Sequence, residues 1–322
     1  MTLFVDLREH KGPLMSILPT LRQLQFFVAL ARRQSFSRAA QDCLVSQSTL
    51  SSAIKELEAI LEVQLVDRST RAFLLTPVGE RVVKQAAALL SSTEDLVLSV
   101  RDRTILSDDF RLGVIPTIAP FLIPSLAPAL KHAYPDLRLF LREDLTSTLI
   151  EQLSLGLLDA ALLALPFEMP GLDTIDVGTD KFWFACAQSH PFADKKTITP
   201  AQLAKIDLLL LEDGHCLRDH ALAACHLRTD ENSGSFGATS LLTLAQMTRA
   251  GLGATLLPDM AVRQGMVQAA DLTAIPLEGP AQNRTIGIAW RRGSGRADDA
   301  RALAETARES LAKLQEHPYV VR

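Results

Sequence analysis

Apolar residues at Leu21, Leu24, Phe27, Val28 and Ala31 recur at i, i+3, i+4 spacing, which predicts an amphipathic first helix. Ser37 stands as N-cap for a short second helix over residues 38–43, and Ser46 opens a third that runs to about Leu61. Two helices joined by so tight a turn predict a helix-turn-helix, with Phe27, Phe36, Ala39, Ala40, Leu44, Val45, Leu50, Ile54 and Leu57 as its core. Residues 63–66 and 73–75 read as short strands around a polar turn, a wing that carries Arg68 and Arg71. Thr76 caps a long helix with Pro77 at its first position, where the missing amide hydrogen costs nothing. This helix is expected to reach about Arg103, and Val82, Val83, Ala86, Leu89, Leu90, Leu96 and Val97 form an apolar seam that wants a partner helix.

Beyond Ser107 the pattern changes to strand-helix alternation. Strands are predicted at 110–115, 137–142, 160–165, 181–187, 208–211, 254–257 and 285–290, with helices near 121–132 and 146–155. Such alternation implies a mainly parallel α/β sheet in two lobes, with a ligand cleft at the strand ends where the lobes meet. The expected divisions are an N-terminal extension at 1–18, a winged helix-turn-helix at 19–76, a linker and dimerisation helix at 77–106, and an effector domain at 107–322. Lobe I takes 107–181 and 285–322, and lobe II takes 182–284. Met15 offers a second start, which would make 1–14 an upstream extension.

The 322 residues are 48% hydrophobic and 22% charged, the balance of a folded globular chain rather than a disordered one. The longest apolar stretches are broken by Asp159, Pro166 or Pro258, so no membrane span is expected. Asp6, Arg8, Glu9, His10 and Lys11 interrupt any signal-peptide core, and the four cysteines suit a reducing, cytoplasmic setting. The net charge of −4 divides unevenly: residues 19–103 hold 11 basic and 9 acidic side chains, a net of +2, and residues 104–322 hold 20 and 26, a net of −6. Only the N-terminal part suits a polyanion. No glycine-rich phosphate loop of useful spacing occurs, since Gly251-Leu252-Gly253 reads as a turn before a strand, and a nucleotide-dependent enzyme is not supported.

The stretch FSRAAQDCLVSQSTLSSAIKELE at residues 36–58, followed by LVDRSTRAFLLTPVGE, resembles the DNA-binding signature of the LysR-type transcriptional regulators. IPTIAPFLIP at 115–124, LLLEDGHCLRDHALAAC at 209–225, ATSLLTL at 238–244 and NRTIGIAWR at 283–291 are similar to the hydrogen-peroxide sensors of that family. The likeness runs from Leu21 to about Ala312, and the spacing of Cys216 and Cys225 is its most specific part. His226 departs from it, at a position often aromatic in those relatives. The resemblance implies a winged helix-turn-helix, a long linker helix and a two-lobed, periplasmic-binding-protein-like α/β effector domain. It also implies a peroxide-sensing regulator of promoter DNA rather than an enzyme, working without cofactor, metal or membrane. A homotetramer built as a dimer of dimers and contact with RNA polymerase belong to the same expectation.

In such a unit the third helix enters the major groove. Gln47 can pair with adenine, Thr49 can meet a thymine methyl, and Ser46, Ser48, Ser51, Ser52 and Lys55 complete an exposed polar face; Arg68 and Arg71 suit phosphates or a narrow minor groove. Asp213-Gly214 precedes a helical run, so Cys216 falls in a first turn, where the macrodipole favours a thiolate, with His215 and Arg218 as basic neighbours. By resemblance Cys216 is the peroxidatic cysteine and Cys225 the resolving one, the two closing a disulfide. Thr117, Thr146, His215 and Arg284 would then orient peroxide. Taken singly, Thr117 also reads as a turn residue, Thr146 as a helix cap and Arg284 as a surface charge. Cys43 and Cys186 read as buried small hydrophobes. Two alternatives stand beside this. One is a small organic effector in the lobe cleft, with the cysteine pair incidental. The other is a zinc or copper site from His215-Cys216 and Cys225-His226, whose adjacent ligands converge poorly.

Overall fold

The computed structural model describes residues 18–67, 73–100, 103–206, 208–224, 237–279 and 283–316. They form two compact units, Met1–Glu94 and Asp95–Arg322. In the first, Thr20 caps α1 (Leu21–Arg33) through a capping box with Gln23. The chain then turns at Gln34, which takes a left-handed φ of 50°, and Ser35 rather than Ser37 opens α2 (Phe36–Asp42). Ser35 is the extended residue at that turn, so its hydroxyl accepts from Arg38 N, and Ser37 is carried inside the helix. Ser46 opens α3 (Gln47–Leu61) as expected, accepting from Thr49 N at 3.1 Å. Phe27, Leu30, Leu50, Ile54 and Leu57 are fully buried between the three helices. Leu44 is not part of that core; it takes the left-handed turn at φ 54° and is 92% exposed.

The wing strands are β1 (Val66–Asp67) and β2 (Leu74–Leu75), antiparallel, with Val66 opposite Leu75. Both are shorter than the pattern suggests. At the start of β1 the Glu58 carboxylate of α3 accepts from Leu65 N at 2.9 Å and Val66 N at 3.2 Å. Arg68 and Arg71 lie outside the described residues. Thr76 then starts α4 (Pro77–Ser99): its hydroxyl accepts from Gly79 N at 2.9 Å and donates to Gln64 O at 2.7 Å. Gly79 packs directly on the backbone just before β1, and a Cβ there would lie 2.2 Å from Leu65 O. The helix ends at Ser99, short of Arg103, whose guanidinium is instead held by Gly295 O and Asp299. Along it Ala86 is buried, whereas Leu89, Leu96 and Val97 are exposed.

The second unit runs β3 (Asp109–Val114), α5 (Ala119–Ala133), β4 (Arg138–Glu143), α6 (Thr146–Ser154), β5 (Ala160–Leu165) and β6 (Leu172–Ala187). It continues through α7 (Pro200–Leu203), β7 (Leu208–Leu211), α8 (Cys216–Ala224), β8 (Gly237–Ala238), α9 (Leu241–Arg249) and β9 (Ala254–Pro258). The last elements are α10 (Asp259–Arg263), α11 (Met266–Ala269), β10 (Leu272–Pro276), β11 (Asn283–Arg291) and α12 (Ala297–Glu316). The strands share one sheet in the order β4-β3-β5-β11-β6-β9-β7-β8, with β10 also on β6.

This sheet is mixed, not mainly parallel. β4-β3-β5 and β9-β7-β8 are parallel trios, one per lobe, but β11 and β6 lie antiparallel to their neighbours between them. β5 and β6 themselves run in the same direction, and the antiparallel pairs arise because β11 returns between them, against both, and because β6 runs on against β9 and β10. Two carboxylates fasten the end of α4 and the segment after it to this unit. Asp95 accepts from Arg291, Ser294 and Gly295 N, and the fully buried Asp299 accepts from Leu106 N at 2.9 Å and from Arg103 and Arg296.

Because the atom facing Gly79 is backbone, it cannot move aside cheaply. Gly79→Ala is expected to lower the stability of the N-terminal unit by about 1–3 kcal/mol and to weaken DNA binding in proportion. Urea unfolding with a parallel gel-shift titration checks this, and an unchanged midpoint would contradict the packing account.

Candidate functional site

The loop after β3, the β4–α6 junction and the β7–α8 junction converge on one small cavity at the carboxyl ends of strands from both lobes. Ile115, Pro116, Thr117, Leu145, Thr146, Gly214, His215 and Cys216 line it, and its volume is ≈ 10 Å³. That is room for about one water-sized molecule. Thr146 is the first residue of α6, and the side-chain cap bond of its alternative reading is absent. Instead Thr146 Oγ1 is buried and has no hydrogen-bond partner among the described residues. A buried hydroxyl so placed on a cavity wall is a vacant donor and acceptor, which ordinarily marks a ligand or solvent position.

Thr117 is held from behind. Arg284, expected on one reading to be a surface charge, is wholly buried, and its Nη1 donates to Thr117 Oγ1 at 2.7 Å while Nη2 donates to Thr117 O at 2.9 Å. The same guanidinium pairs with Asp180 through Nε at 3.1 Å and Nη2 at 2.9 Å. Asp180 sits opposite Arg284 in the β6–β11 register and also accepts from Met260 N, at the start of α10. Burial pushes the Asp180 carboxyl up, against the guanidinium and the Met260 amide, which hold it down. Arg284 is thus not on the cavity wall but one residue behind it. Sequence reasoning missed Asp180, since nothing short of strand register joins residues 104 positions apart.

Cys216 is the first residue of α8, as expected, and is 6% exposed. The positive end of the helix macrodipole therefore lies at its position. Gly214, at φ 95°, supplies the turn that brings His215 and Cys216 to the cavity, a conformation that favours glycine. Burial pulls the His215 imidazole down, with Glu212 opposing, so the ring is neutral near pH 7. Arg218 is less available than the sequence suggests, because it pairs with Asp213. Cys225 and His226 lie outside the described residues. Cys186 is buried as expected, its thiol pushed up to about 11 by burial, and Cys43 is half-buried and also raised, by burial and then by Asp42.

In the N-terminal unit, Ser46, Gln47, Ser48, Thr49, Ser52 and Lys55 are exposed along the start and one face of α3, and Ser51 is half-buried. Ser46 Oγ shares hydrogen bonds with Ser48 Oγ at 2.8 Å and Thr49 Oγ1 at 2.7 Å, which groups these hydroxyls in one network at the helix N-terminus. Arg38, exposed on α2, was not singled out from the sequence, although a basic residue in the first helix of such a unit is placed to meet backbone phosphate.

Residues 21–80 match the family described as bacterial regulatory helix-turn-helix protein, lysR family, and residues 105–312 match the LysR substrate binding domain. The DNA-binding transcriptional dual regulator OxyR of Escherichia coli is 38% identical over 297 residues, covering 90% of this chain and 95% of that protein. The HTH-type transcriptional regulator EstR of Acinetobacter baylyi is also 38% identical, over 284 residues, 87% of this chain and 93% of EstR. A solved Corynebacterium glutamicum OxyR, a cysteine-to-serine mutant with H2O2 bound, superposes with a TM-score of 0.64 at 33% identity, covering 93% of this chain and 94% of that one. With both of its domains matched and its relatives alike over nearly their full length, the chain belongs to the LysR family of DNA-binding transcriptional regulators.

Proposed function

We propose that this regulator senses hydrogen peroxide, and that the cavity between Thr117, Thr146, His215 and Cys216 is where peroxide reacts. The observation that carries the reading is the cavity itself: ≈ 10 Å³, with a reactive type of side chain at one wall and an unpartnered buried hydroxyl at another. Organic effectors occupy sites of about 300–1,000 Å³, so this cavity selects a molecule scarcely larger than water. Overall identity does not make that choice, since EstR is as similar to the chain as OxyR is. The site chemistry does. The OxyR structure with H2O2 bound lends the reading support as a relative of the same architecture.

In the proposed reaction the Cys216 thiolate attacks one peroxide oxygen and the O–O bond breaks. Its electron pair leaves with the second oxygen as hydroxide, which takes up a proton to become water, and Cys216 becomes a sulfenic acid. The Cys225 thiol then attacks that sulfur, expelling the oxygen as a second water and closing a disulfide. Thr117, Thr146 and His215 orient peroxide, and Arg284 acts through Thr117. Were α8 continued to Cys225, the nine-residue separation at ~1.5 Å rise would set the two Cα atoms about 13 Å apart, whereas a disulfide needs roughly 4.4–6.8 Å. Closing the bond therefore requires α8 to unwind or fold back, at a cost of about a few kcal/mol that a covalent bond can hold. That local refolding is the proposed signal, changing the oligomer arrangement and promoter binding. The exposed residues Leu89, Leu96 and Val97 of α4 suit the dimerisation role of a linker over 77–106, in a homotetramer that works in the cytoplasm and engages RNA polymerase at promoters.

On DNA, Ser46, Gln47, Ser48, Thr49, Ser51, Ser52 and Lys55 form the reading face, and Arg68 and Arg71 the wing contacts. Arg68→Ala and Arg71→Ala are expected to weaken binding to all sequences and flatten its salt dependence, while Gln47→Ala relaxes preference at one base position by about 1–3 kcal/mol. A gel-shift salt series separates these outcomes, and unchanged binding by all three variants would refute the assignment.

At the sensor, Cys216→Ser is expected to abolish reaction with peroxide. Thr146→Val should slow it about tenfold, the equivalent of one lost hydrogen bond of ~1.4 kcal/mol, and Thr146→Ser should restore most of the rate. Stopped-flow kinetics decides the matter: equal rates for wild type and Thr146→Val would remove the cavity from the mechanism.

A further inference from the structure

Asp180 does not line the cavity, yet the orientation of Thr117 depends on it. Both side chains of the Asp180–Arg284 pair are wholly shielded from solvent. One carboxylate oxygen accepts from Arg284 Nε at 3.1 Å and Nη2 at 2.9 Å, and the other accepts from Met260 N at 3.0 Å. With one edge of the planar guanidinium fixed in this way, Nη1 is aimed at Thr117 Oγ1, 2.7 Å away. A hydroxyl whose oxygen accepts from a guanidinium keeps its own proton free to donate elsewhere, and Thr117 lines the cavity.

We propose that Asp180 is a positioning residue for the peroxide reaction: by fixing the Arg284 fork it makes Thr117 a donor to the departing oxygen, with the guanidinium charge directly behind. The proposal rests on reading the cavity as the seat of peroxide. As the Cys216 sulfur takes one oxygen, negative charge develops on the other, and a preset donor backed by a cation acts most strongly on that developing charge. A simple counterion would behave in the opposite sense. Neutralising it would leave Arg284 more strongly cationic and speed the reaction.

The test uses the full-length reduced protein and two reagents: hydrogen peroxide followed by stopped flow, and iodoacetamide, which alkylates the same thiolate without needing an oriented O–O bond. Asp180→Asn is expected to slow the peroxide reaction about tenfold to a hundredfold, the effect of a misplaced donor, and to leave alkylation unchanged. In a Thr117→Val background the same substitution should cost nothing further, because it acts through that hydroxyl. An unchanged or faster peroxide rate, an equal loss with both reagents, or a full additional loss without Thr117 would overturn the proposal. Should Asp180→Asn fail to fold, Arg284→Lys keeps a charge beside Asp180 but cannot hold Asp180 and Thr117 together, and the same outcomes apply. If wild-type Cys216 favours peroxide over iodoacetamide no more than free cysteine does, the reading of the cavity fails, and this proposal with it. If the preference is present and Asp180→Asn retains it, only the role of Asp180 falls.

Discussion

Arg284 and Asp180 face each other across β11 and β6 with no access to water, and the geometry between the two lobes is organised around that pair. Taking two charges out of water costs several kcal/mol each, and the attraction between them repays this only when further hydrogen bonds satisfy both groups. Here Thr117 and the Met260 amide do so, one from the loop after β3 and the other from the start of α10. An apolar pair could hold two strands together equally well. What the ion pair adds is direction, since a planar fork pinned at one edge can point only one way at the other. Loss of either partner would strand a buried charge, which typically destabilises by about 3–5 kcal/mol.

The sensor end is built differently. Cys216 begins α8, a helix of nine residues whose Leu217 and Ala221 pack into the same core as Ile115, another residue that lines the cavity. In the proposed mechanism this short helix is what carries chemistry at the sulfur into movement of the chain. Among the described cysteines the thiols of Cys186 and Cys43 are pushed up by burial and neither lines the cavity, whereas Cys216 lines it from the first residue of a helix.

Much of this was legible in the sequence. The α1–α3 unit, Ser46 as cap, Thr76-Pro77 at the start of α4 and β5 at residues 160–165 follow from periodicity and capping chemistry. The shift from Ser37 to Ser35 depended on a left-handed Gln34, and the exposure of Leu44 on a turn conformation that hydropathy does not encode. Alternation implied parallel strands, but β11 returns between β5 and β6 and runs against both. Thr117, Thr146, His215 and Cys216 were nameable from motifs, and the structure brings all four to one cavity. Arg284 stands behind it, and Asp180 carried no local signal at all.

The central claim is that peroxide converts Cys216 and Cys225 into a disulfide and thereby changes how the protein sits on DNA. Peptide mapping by mass spectrometry, run beside DNA footprinting while reduced protein is titrated with hydrogen peroxide, measures both events in one sample. The account predicts that a Cys216–Cys225 linked peptide and a changed footprint rise together to completion at about one equivalent of peroxide, and that Cys216→Ser shows neither. A changed footprint in Cys216→Ser, or in oxidised wild type without that linked peptide, would contradict it.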